Sequence, residues 1–160
     1  MDKRLEAQIG IILRDKGLTI CAAESCTGGL VMHRLTNIPG SSVYVLGGVV
    51  AYSNAVKQAL LNVKQGTLIA YGAVSEQTAS EMALGARALL KADIALSITG
   101  IAGPDGGTAE KPVGLTYIGI SAGDDTLVVQ RHVWPGDREA VKAASAEAAL
   151  QLALDTLAKM

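Results

Sequence analysis

A serine hydroxyl becomes a nucleophile only when a base takes its proton, and a lysine amine can be that base if desolvation or nearby positive charge leaves it neutral. The sequence offers such a set in Ser42, which follows Gly40-Ser41, and in Tyr52-Ser53-Asn54 with Lys57. Tyr52 could relay or donate the proton. A fully extended path from Ser42 to Tyr52 would run roughly 33 Å, too far for contact, so the chain must fold back. Gly47-Gly48 permits the reversal if Ser42 to Leu46 forms one helical turn and Gly48 to Tyr52 returns as a strand, with Lys57 on the first turns of the next helix. On spacing alone the plainer reading is the stronger: an N-cap serine, a packed tyrosine and a solvent lysine.

A second cluster is Glu24-Ser25-Cys26-Thr27-Gly28-Gly29. Small side chains and two glycines between a strand and a helix let backbone N–H groups meet an anion at the helix N-terminus. A tight packing turn is the alternative. Cys26 is a candidate nucleophile because a thiol at a helix N-terminus can have a lowered pKa, but His33 and His132 could serve it only through folding. Thr99-Gly100-Ile101-Ala102-Gly103-Pro104-Asp105-Gly106-Gly107 is a third cluster, placed directly after a buried strand where loops line binding crevices. It has neither the P-loop nor the dinucleotide glycine pattern, which argues against a nucleoside-triphosphate site. Arg138 and Lys142 share a helix face after Asp137 and could meet a phosphate there, or could simply be exposed cations. Two histidines, with no H-x-x-x-H spacing and no carboxylate cluster, suggest no metal site.

The elements that must position these residues follow from periodicity. Leu5, Ile9, Ile12 and Leu13 recur at helical spacing before Gly17, which sits where a helix C-cap is expected. A buried strand is predicted at Leu18 to Ala23, a helix from Leu30 ending before Pro39, a strand at Gly48 to Tyr52 and a helix from Asn54 to Leu61. A long helix opened by Ser75 and Glu76 reaches Leu90, and the strand Ile94 to Ile98 follows. Val113 to Ser121 and Thr126 to Val133 read as a hairpin around Ala122-Gly123-Asp124-Asp125, and Asp137 caps a final helix. This order predicts a three-layer α/β/α sandwich with a mixed, mostly parallel sheet, formed by one domain spanning residues 1–160.

Composition narrows the function classes. The 160 residues are 49% hydrophobic and 18% charged, and 14 Lys+Arg against 15 Asp+Glu leave a net charge of −1. Without a basic block, nucleic acid is not an expected partner. No run approaches the roughly 18 apolar residues of a membrane span, and the start lacks a secretory pattern, so a cytoplasmic protein is expected. Cys21 and Cys26 are too few for a disulfide framework. With no Phe, one Trp and four Tyr, the core must be filled by Ala, Val, Leu and Ile. The alanine-rich final helix could support a homo-oligomer, but core packing explains it equally well.

Taken together, Ala23 to Gly29, Gly40-Ser41-Ser42, Tyr52-Ser53-Asn54 with Lys57, Gly72 to Glu76, Gly100 to Gly107 and Gly136-Asp137-Arg138 resemble the CinA C-terminal domain family over nearly the whole chain. The chain resembles the stand-alone form; longer relatives carry a further N-terminal domain, and its nucleotide-pyrophosphatase activity is not expected here. The resemblance implies hydrolysis of the carboxamide of nicotinamide mononucleotide to nicotinic acid mononucleotide and ammonia, in pyridine-nucleotide recycling, with no cofactor. It also implies Ser42 as nucleophile, Lys57 as base and Tyr52 as supporting hydroxyl. Ser25, Cys26, Thr27, Gly28 and Gly29 are then expected at the substrate phosphate with Arg138, while Asn54 and Thr99 are expected as polar contacts and Gly100 and Gly103 as binding-loop residues. Val45 and Lys142 depart from the family pattern, standing where relatives often have an aromatic residue and an arginine. A non-catalytic nucleotide-binding or regulatory module using the same loops is the alternative function.

Overall fold

A computed structural model describes residues 1–160. Five strands form one sheet in the order β2-β1-β3-β4-β5, with β1 at Ile20–Glu24, β2 at Val45–Val50, β3 at Ile94–Gly100, β4 at Leu115–Ala122 and β5 at Thr126–Val133. β1 pairs in parallel with β2 and β3, while β3–β4 and β4–β5 are antiparallel. Four strands therefore run one way and β4 opposes them, as the predicted mixed sheet requires.

Helices cover both faces. α1 (Leu5–Lys16), α2 (Leu30–Thr36) and α6 (Arg138–Ala158) pack on one, around Ile9, Leu35, Ile98, Ile118 and Leu150. α3 (Asn54–Leu61), α4 (Gln65–Tyr71) and α5 (Glu76–Leu90) lie on the other, around Cys21, Ala23, Leu61, Met82 and Ala95. The continuously buried β1 and β3 are what strands covered on both faces require. Small residues let the layers approach: Gly85 of α5 packs so closely on the Leu61 carbonyl of α3 that a Cβ there would collide with it. That contact sets the height of α3, which carries Lys57.

Local signals placed most elements. Gly17 ends α1 at φ 66°, and the side chains of Ser53, Ser75 and Asp137 cap α3, α5 and α6 by accepting from N–H groups three residues on. Two elements differ from expectation. β2 begins at Val45 rather than Gly48, after a one-turn 3-10 helix at Ser41–Val43. α4 is an additional helix that buries no residue fully, so no apolar period announces it. Leu68 packs partly buried against the core, and Glu81 accepts from the Lys64 N–H and the Thr67 hydroxyl. No helix is long and apolar enough to cross a membrane.

Candidate active site

β1 leads to α2 and β2 on one side of the sheet, while β3 lies on its other side. The carboxyl ends of β1 and β3 therefore border the crevice where open α/β sheets bind ligands. A cavity of about 250 Å³ opens there. Ser25 and Cys26 reach it from the end of β1, and Thr99 and Gly100 from the end of β3. Tyr52 and Lys57 enter from the β2–α3 side, and Gly103 and Arg138 close the far wall.

At its base the Lys57 side chain is 1% exposed, and Nζ donates to Ser25 Oγ at 3.0 Å, Ala51 O at 2.9 Å and Tyr52 O at 3.1 Å. All three acceptors are neutral, and no carboxylate stands close enough to pair with the amine. Burial pushes the Lys57 pKa below its ordinary value of 10.5, with the Cys26 thiol acting weakly in the other direction. Ser25 is itself buried, its N–H donating to Ile98 O at 2.9 Å and thereby tying the turn to β3.

The expected contact between Ser42 and Lys57 is not made. Ser42 is exposed in the turn before β2, whereas Lys57 follows β2. Val45 pairs with Ile20 and Val50 with Glu24, so the two residues lie beyond opposite ends of the sheet. Six strand residues separate those ends by roughly 20 Å. The chain does reverse after Ser42, as anticipated, but the strand then carries it away from Ser42 rather than back to it. Lys57 meets Ser25 instead.

The anion-binding expectation for the Ser25 to Gly29 turn also needs correction. The buried Glu24 carboxylate accepts the Val31 and Met32 N–H groups at 2.9 and 3.0 Å, so an internal anion already closes the N-terminus of α2. Cys26 lines the cavity, but Thr27, Gly28 and Gly29 do not. Thr27 is buried with its hydroxyl unpartnered. The Gly28 N–H returns to Ser25 O at 3.2 Å, while the N–H groups of Cys26 and Thr27 bond to no other residue. Asn54 is exposed at the start of α3, outside the cavity.

Thr99 donates its hydroxyl to Ala73 O at 2.7 Å, drawing the Gly72 to Ser75 segment over the cavity, where Ala73 and Val74 form part of the wall. Arg138 donates to Gly103 O at 2.7 Å and to the Tyr52 hydroxyl at 3.2 Å. The phenol of Tyr52 is thus engaged by Arg138 and not by Lys57. Lys142 lies one turn on, against Gly28. The Cys26 thiol has no histidine beside it, because His33 is exposed on α2 and His132 stacks on Trp134. Burial pushes its pKa up to about 11. Sequence reasoning named Ser25 but missed its partner. It also missed Ala73, Val74 and Asp105 as cavity residues, although the motifs containing them were visible.

The sequence matches the CinA C-terminal domain over residues 2–157. The chain belongs to the CinA C-terminal domain family. It is 49% identical to the nicotinamide-nucleotide amidohydrolase PncC of Enterobacter agglomerans, over 94% of this chain and 92% of that protein. It is 52% identical to a CinA-like protein of Geotalea uraniireducens, over 86% of this chain but 33% of the relative. The chain spans about a third of the length of several such CinA relatives. Among solved structures, the competence/damage inducible protein CihA of Agrobacterium tumefaciens shares the fold at a TM-score of 0.90 and 40% identity, covering 98% of this chain and 99% of that one. A CinA superfamily protein of Klebsiella pneumoniae matches at 0.93 and 33%, covering 98% and 97%.

Proposed function

We propose that this chain is a serine amidohydrolase acting on the carboxamide of nicotinamide mononucleotide, with Ser25 as nucleophile and Lys57 as general base. The observation that carries the reading is the 3.0 Å contact between a buried lysine amine and a buried serine hydroxyl at the base of a cavity. The substrate follows from the 49% identical relative of nearly equal length that is named for this activity.

In the resting state burial favours the neutral amine. Its two N–H groups stay on Ala51 O and Tyr52 O, and its lone pair accepts the Ser25 O–H. Lys57 takes that proton as Ser25 Oγ bonds to the amide carbon. The resulting ammonium then gives the proton to the leaving nitrogen, the C–N bond breaks and ammonia departs, leaving a serine ester. A water loses a proton to Lys57 and attacks the ester, and Ser25 recovers its hydrogen as the acid leaves. The N–H of Cys26, directly after the nucleophile and bonded to no other residue, is the donor suited to the developing oxyanion. A cavity of about 250 Å³ lies just below the ~300–1,000 Å³ range of drug-sized pockets. It suits one heteroaromatic amide, with the rest of the nucleotide extending towards Arg138 at the rim.

Ammonia release from nicotinamide mononucleotide tests the reading. The wild-type protein should turn it over and the Ser25→Ala protein should not. Tight nucleotide binding without any ammonia would instead favour the non-catalytic module.

A further inference from the structure

Asp105 supplies the only carboxylate on the cavity wall, which also carries the guanidinium of Arg138. Asp105 is exposed and forms no ion pair. Its loop is nevertheless held in place. The Ile101 N–H donates to Leu115 O at 2.9 Å, the Gly114 N–H donates to Ile101 O at 2.8 Å, and Arg138 grips Gly103 O. Gly107 packs against Val113, where a Cβ would fall 2.8 Å from the Val113 nitrogen. The carboxylate is therefore presented to the cavity by a loop folded back on itself.

An unpaired carboxylate is unfavourable in a site that takes an anionic nucleotide, because it repels the phosphate that Arg138 attracts. The arrangement becomes favourable if the ligand also carries a positive charge on the same side. We infer that Asp105 is a specificity residue that selects a cationic ring, an N-substituted pyridinium, over an otherwise similar neutral one. The inference rests on the amidohydrolase reading above for the position of the ring. Ring charge at Asp105 and phosphate charge at Arg138 then orient the nucleotide with its amide towards Ser25.

The test is binding, measured by calorimetry in the Ser25→Ala background so that no substrate is consumed. The probes are nicotinamide mononucleotide and its 1,4-dihydro form, which keeps the amide, ribose and phosphate but has a neutral ring. Adding Asp105→Asn should weaken the oxidised form by about fivefold, the range of an exposed ion pair, and leave the dihydro form unchanged or slightly tighter. Equal shifts for both ligands, no shift for either, or no measurable binding of the oxidised form would overturn the inference. Circular dichroism should show the same fold with and without the substitution. Ammonia release by the wild-type protein is read separately, so failure of the amidase reading and failure of the Asp105 assignment give different results.

Discussion

The amine of Lys57 and the hydroxyl of Ser25 stand 3.0 Å apart although 32 positions separate them in the chain. One is on the first turn of α3 and the other is the residue that follows β1. Parallel pairing of β1 with β2 brings both to the same end of the sheet, and the Ala51 and Tyr52 carbonyls fix the amine between them.

That pairing separates the two serines experimentally. Ser25→Ala should lower kcat for ammonia release by about a thousandfold or more, as expected when a covalent nucleophile is lost. Ser42→Ala should stay within about twofold of wild type, since an exposed hydroxyl at the other end of β2 touches no part of the cavity. The reverse result would remove Ser25 from the chemistry.

Burial of Lys57 predicts the shape of the pH profile. The base must be unprotonated, so kcat/KM should rise with pH along an acid limb whose midpoint lies below 10.5. Lys57→Met should abolish turnover and the limb with it. Stability has a definite sign too. The unfolded chain binds this proton more tightly than the native one, so unfolding free energy should increase with pH between the native pKa and about 10.5 and be flat in this contribution below it. Urea titrations across alkaline pH, wild type against Lys57→Met, would reveal the slope.

With its pKa near 11, the Cys26 thiol is almost entirely protonated at neutral pH. Cys26→Ala should lose less than about tenfold in kcat, against the much larger loss at Ser25, and iodoacetamide should modify the native protein far more slowly than the denatured one. Rapid inactivation at pH 7 would contradict this.

Glu24 holds two N–H groups at the start of α2 from a fully buried position. Glu24→Ala removes both charge-assisted bonds, and a loss of about 2–4 kcal/mol in urea unfolding is expected. Glu24→Gln should retain part of this, because its amide oxygen can still accept one bond.

Gly85→Ala sets helix propensity against packing. Alanine is the better helix former by about 1 kcal/mol, but its Cβ would collide with the Leu61 carbonyl, and overpacking costs typically 1–3 kcal/mol. Because the clash is with backbone, packing should win. Thermal unfolding should shift down, and kcat should fall as α3 moves Lys57 away from Ser25.

Much of this fold was legible from local chemistry. Gly17, Ser53, Ser75 and Asp137 mark helix ends whose caps the structure contains, and the short, mostly apolar runs of β1 and β3 mark the buried strands. These signals act over three or four residues, so a single sequence carries them. α4 had no such signal because none of its residues is fully buried and Thr67 is tied to Glu81 on a neighbouring helix.

The residue types of the site were equally visible, including a serine just after a strand, a lysine after a tyrosine and glycine-rich loops at strand ends. Which serine meets the lysine was not. That depends on where β2 begins and on its register against β1, and a parallel strand places residues at its two ends about 20 Å apart however near they are in the chain. The helix-capping role of Glu24 and the placing of Asp105 on the cavity wall are likewise products of packing between distant segments. Sequence determined the elements and the chemical groups available; strand order and register decided which of those groups became neighbours.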